Sequence, residues 1–189
     1  MLDATRNIIA ACARRLLPAR IARRFVRQQD GAAAVEFALV AAPFLALTFA
    51  ILETAFVFFA GQTLEAAAAD SARLIMTGQA QSAGFTAGDF KNAVCARIFA
   101  LFDCANGVFV DVKTYSSFAS VNTASPVSNG QLNTGSMTYS PGDVGNIVVV
   151  SLYYQWPIYV SMLGDNLSNL NGNKRLLVAT SVFRVEPYH

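Results

Sequence analysis

Three rhythms of apolar and polar residues divide this chain. From Phe37 to Ala60 almost every position is apolar (FALVAAPFLALTFAILETAFVFFA), and the only charge is Glu53. At about 1.5 Å per residue a helix of that length reaches roughly 36 Å, enough to cross a ~30 Å hydrocarbon layer with some tilt. From residue 61 the pattern becomes helical in period, with Leu64, Ala67, Ala68, Ser71, Leu74 and Ile75 on one side and Gly78 as a stop. The spacing therefore predicts one helix over 32–77, spanning a membrane at about 37–60 and continuing beyond it. A Gly/Ser/Gln linker follows, and then a short amphipathic helix over 88–102 that places Phe90, Val94, Ile98, Leu101 and Phe102 on one face.

Beyond that point the period falls to two. Residues 107–115 alternate, with Val108, Val110 and Val112 opposite Asp111 and Lys113; 175–185 alternate, with Leu177, Ala179, Phe183 and Val185 facing a core. Residues 146–156 form a continuous apolar run, as in a central strand buried on both faces. A shorter strand is expected near 136–140, before the turn Pro141-Gly142-Asp143, and the polar stretch 116–135 reads as a loop. The fold class is α+β: a long N-terminal helix, then a head over 78–189 with a short helix and a three- to four-stranded, mainly antiparallel sheet. Tyr153, Tyr154, Trp156 and Tyr159 are expected in the core, contact with the bilayer surface being the alternative.

Charge adds an orientation. Residues 1–31 carry seven arginines against Asp3 and Asp30, a net +5, while residues 32–189 carry seven basic and ten acidic side chains, a net −3. The basic arm abuts the span and carries Phe25 as its sole aromatic, which argues against nucleic acid as a partner. By the positive-inside rule the arm stays cytoplasmic and everything after about residue 61 is exported, giving a single-pass protein. The long apolar run and the absence of a small-residue cleavage site after it fit poorly with an ordinary secretory signal. Inside the span, Pro43 should weaken or kink the helix. Ala34, Ala38, Ala42, Ala46 and Ala50 recur every fourth residue, a row against which another helix could pack closely.

The junction of arm and span reads DGAAAVEF. Gly31, then Glu36 and Phe37, between an arginine cluster and a span, resembles the processing site of type IV prepilins, where a membrane peptidase cuts after the glycine. The resemblance implies a mature chain beginning at Ala32, whose new ammonium would pair with Glu36 of a neighbouring subunit. A carboxylate in lipid is expensive and points to such a use. Glu53 with the following alanine-rich helix and Ala72-Arg73, the two-cysteine segment VCARIFALFDCANGVFVDVKTY, and the ending ATSVFRVEPYH are similar to the TadE-like family. That resemblance covers roughly residues 28–189. It implies a minor pilin or pseudopilin of the Tad (Flp, tight-adherence) pilus assembly system, held in a bacterial inner membrane with its C-terminal part periplasmic and entering a pilus or acting at its base. Its implied partners are the prepilin peptidase, other pilins and pseudopilins, the inner-membrane assembly platform and the lipid bilayer. Two alternatives remain open: an uncleaved single-pass protein with a periplasmic binding or scaffold domain, and a minor pseudopilin of a type II secretion system. Glu53 is expected to hydrogen-bond a partner helix or to face the interface.

Cys95 and Cys104 both fall in the exported part, and a bond between them would close a short loop in an oxidising compartment; Cys12 falls in the arm. No metal site or cofactor is expected. The sole histidine is His189, no carboxylate or thiol cluster has ligand spacing, and no serine has a histidine partner, so the chain does not read as an enzyme.

Overall fold

A computed structural model describes residues 31–98, 102–159 and 167–188. The basic leader over 1–30, Cys12, Leu101 and His189 lie outside the described residues. The chain divides into two compact units, one up to Thr48 and one from Phe49.

The first element, α1 (Ala32–Met76), is a 45-residue helix that runs uninterrupted across Pro43. Its apolar residues form no single stripe at first: every residue from 31 to 40 is exposed. From Glu53 onward one face is buried, at Val57, Ala60, Leu64, Ala67, Ala68, Ser71, Ala72 and Ile75. These positions recur at three and four residues, the period that brings one helix face against a core. The helix ends at Gly78, where φ is +75° and a β-carbon would come within 2.1 Å of the Tyr188 ring, so only glycine fits. The amide of Glu186 donates to the carbonyl of Met76, tying the chain's last strand to this terminus.

A one-turn helix α2 (Gln79–Ser82) lies in the expected linker, and α3 (Ala87–Cys95) follows. Thr86 and Asp89 form a capping box that starts α3: the Thr86 hydroxyl accepts from Asp89 N–H and the Asp89 carboxylate accepts from Thr86 N–H. The helix anticipated over 88–102 stops at Cys95, and the chain turns back to α4 (Cys104–Gly107). The disulfide sets this early end. Cys95 and Cys104 are bonded with their Cα atoms 5.6 Å apart, whereas a helix continued through nine residues would separate them by about 13 Å.

Five strands follow among the described residues: β1 (Val108–Tyr115), β2 (Val127–Ser128), β3 (Gln131–Leu132), β4 (Ile147–Pro157) and β5 (Lys174–Arg184). The main sheet has the order β1-β4-β5 and is antiparallel throughout. The apolar run anticipated as a central strand is β4. Its Val148, Val150 and Leu152 and the facing Val108, Val112, Leu177 and Ala179 pack against the buried face of α1 in one core that also holds Phe90 and Val94. Tyr153 is buried and Tyr154 and Trp156 are packed against the core, but Tyr159 is exposed, against the expectation for that residue.

The short strand expected near 136–140 is reduced to a parallel bridge between Tyr139 and Val112. A buried carboxylate holds this segment: Asp111 accepts from Thr138 N–H at 2.9 Å and from Lys113 Nζ at 2.6 Å. The stretch read as loop contains the β2–β3 hairpin, turning at Asn129 (φ +52°) and Gly130 (φ +72°). Both central residues need positive φ, which is why Asn-Gly is favoured there.

Candidate functional site

Gly31 precedes the first turn of α1 and is exposed, and a β-carbon built on it meets nothing within 4 Å. Packing within the described residues therefore gives no reason for glycine here. Glu36 and Phe37 lie just over one turn further along and are exposed. Among the described residues the only ion pair is Lys113–Asp111, so Glu36 faces no cation of its own chain there. Ala34, Ala38 and Ala42 are exposed and Ala46 and Ala50 partly so. Successive members of this row rotate by about 40°, so they form a slowly winding stripe of small side chains.

Glu53 is placed differently from these. It is only 8% exposed, and its Oε1 accepts a hydrogen bond from the backbone N–H of Tyr159, just past the end of β4. The carboxylate that interrupts the apolar run is thus held by its own chain, by a residue 106 positions away. Spacing along the helix carries no signal for such a contact. Beside it, α1 and β5 border a groove of about 400 Å³ lined by Phe58, Gly61, Gln62, Arg175 and Val178.

The cysteine pair is brought together as expected, and it joins α3 to α4 just ahead of β1. Within the loop it closes, Phe102 stacks edge-on against Tyr154, with ring centroids 4.6 Å apart, and against Trp156 at 5.9 Å. Replacing both cysteines with serine should lower the stability of the head by roughly 2.5–3 kcal/mol, from the restored freedom of a ten-residue loop. Chemical denaturation of the oxidised and the serine forms measures this, and equal midpoints would refute it. Among the described residues there is no group of three or more His, Cys, Asp or Glu side chains able to hold a metal ion.

A family model described as TadE-like protein matches residues 31–73. The match opens on Gly31 and ends at Arg73, so it includes Glu36, Glu53 and the alanine row; the two-cysteine segment and the terminal strand lie beyond it. No curated protein and no solved structure matches the chain. The segment is TadE-like, and α1 is the one helix among the described residues long and apolar enough to cross a membrane. Together they support a Tad-associated, membrane-anchored, single-pass protein.

Proposed function

We propose that the chain is a minor pilin or pseudopilin acting in assembly of a Tad pilus, cut after Gly31 by a prepilin peptidase and anchored in the inner membrane by α1. Its role is structural and not catalytic. The observation that carries this reading is the coincidence of the TadE-like match with the start of α1: the matched segment begins at the exposed Gly31, immediately before 45 helical residues. Cleavage there would leave Ala32 as the first residue and its ammonium at the head of the helix. A neighbouring subunit's Glu36 is the acid suited to pair with it, and the alanine row lets the two helices approach. The arginine-rich leader keeps the N-terminal side cytoplasmic. The Cys95–Cys104 bond supports an exported head, since such bonds persist in oxidising compartments.

N-terminal sequencing of membrane-fraction protein, from cells with and without the prepilin peptidase, tests the reading. The expected mature terminus is Ala32 in the first sample and the intact leader in the second. Full-length protein in both would overturn processing and favour an uncleaved anchored module.

A further inference from the structure

The exposed apolar surface of α1 does not end where the head begins. Large apolar side chains stand exposed from Val35 to Phe59, while the opposite face of the helix is already buried in the head from Glu53 onward. Over Glu53–Phe59, about 9 Å of helix, one side carries the head and the other carries bare aromatics. Phe58 is 70% exposed, with Phe56 and Phe59 similar. Beyond Phe59 the exposed positions turn polar, at Gln62, Glu65, Asp70 and Arg73. The two headgroup layers together make up the difference between a ~30 Å hydrocarbon core and a 40–45 Å bilayer, about 5–7.5 Å each, so a length of about 9 Å is enough to cover one of them.

The head contributes to the same level. Tyr159 is joined to Glu53 through its amide, and the residue is 81% exposed. Lys174, paired with Pro157 at the same end of the sheet, is also exposed. Aromatic rings with a basic residue beside them are what a membrane interface selects. The Glu53 contact fits this depth too: a carboxylate near hydrocarbon needs a donor, and the head supplies one. A head standing clear of the lipid would leave these four largely exposed aromatic side chains in water.

We propose that the head rests in the headgroup layer of the bilayer, with Phe56, Phe58, Phe59 and Tyr159 as an interfacial aromatic collar and Lys174 directed to lipid phosphates. This builds on the membrane anchoring proposed above, and the test separates the two. Nitroxide labels are placed singly on the full chain, in a Cys12→Ser background, at Tyr159→Cys, Phe58→Cys, Phe44→Cys and Phe118→Cys. The protein is reconstituted in vesicles of phosphatidylcholine and phosphatidylglycerol. Accessibility of each label to oxygen and to a water-soluble nickel chelate gives its depth. Phe118 follows Tyr115, whose partner Ile147 marks the far end of the sheet from Pro157, so it serves as the aqueous reference.

The expected result is an oxygen-to-nickel ratio at 159 and 58 several-fold above that at 118, and a higher ratio still at 44. A label at 159 as open to nickel as the one at 118, with 44 still in lipid, overturns the collar and leaves the anchor standing. A label at 44 open to nickel overturns both. Shielding of 159 from both reagents, with dipolar broadening between copies, shows contact with a second chain and likewise overturns the lipid assignment.

Discussion

Glu36→Gln is expected to leave cleavage after Gly31 unchanged and to weaken association of the mature subunits by up to about three orders of magnitude, the attraction of about 4 kcal/mol between two unit charges near 4 Å in a partly shielded site. Glu36 is exposed on α1, and no basic side chain of the described residues meets it. In lipid such a carboxylate is unfavourable unless a cation comes to it, and glutamine removes the charge while keeping the shape. The only cation that processing creates at that level is the amine of Ala32. The argument has a second, sharper form. Gly31→Val should block processing, so the amine never forms, and adding Glu36→Gln to Gly31→Val should then change nothing further. Two residues that act through one ion pair show such non-additivity; two that act independently do not. Crosslinking yield of subunits in membranes, read beside the N-terminal sequence, measures both variants. Wild-type association of Glu36→Gln would end the pairing hypothesis even if cleavage proceeds.

How much of this was legible in the chain depends on how local the cause is. The stop at Gly78, the alternation of Val108, Val110 and Val112, and the apolar run of β4 each act within a few residues, and each was readable. The end of α3 was not, because helical periodicity continues through Phe102 and only the bond to Cys104 breaks it. The strand expected near 136–140 failed for a similar reason. Asp111 takes the amide of Thr138 with a side chain, so the segment docks by a carboxylate and a single bridge and not by a full ladder. The hairpin at Asn129-Gly130 did carry a local signal, hidden by the polar composition around it. In the candidate site, Gly31 stands out through family resemblance, and Glu36 through that and the cost of a carboxylate in lipid; both are exposed in the fold. Glu53 shows the opposite case: one of its partners is the backbone amide of Tyr159, which has no sequence identity to read.

The largest stability effect should come from Phe90→Ala. Phe90 is fully buried, the largest side chain so enclosed among the described residues, and its ring lies 5.6 Å from that of Tyr139. Truncation to alanine in such a site typically destabilises by about 3–5 kcal/mol, through lost burial and the cavity left behind. That is a large fraction of the 5–15 kcal/mol by which a domain of this kind is held. Phe90→Leu keeps most of the volume and should lose much less, which separates a packing role from any specific use of the ring. A second readout follows from Tyr139, whose hydroxyl is buried without a hydrogen-bond partner in the described residues. Burial pushes its phenol above the ordinary value, and Asp89 adds to the effect. Opening a cavity beside it lets water reach the hydroxyl, so in Phe90→Ala the Tyr139 titration should move back down toward an ordinary tyrosine. Denaturant unfolding of the full chain in micelles gives the first quantity and ultraviolet titration the second. An unchanged unfolding midpoint would show that the head is not held at Phe90. Because Val57 through Ile75 of α1 belong to the same core, any loosening there also frees the outer half of the helix, so this one ring helps decide how firmly the anchor is joined to what it carries.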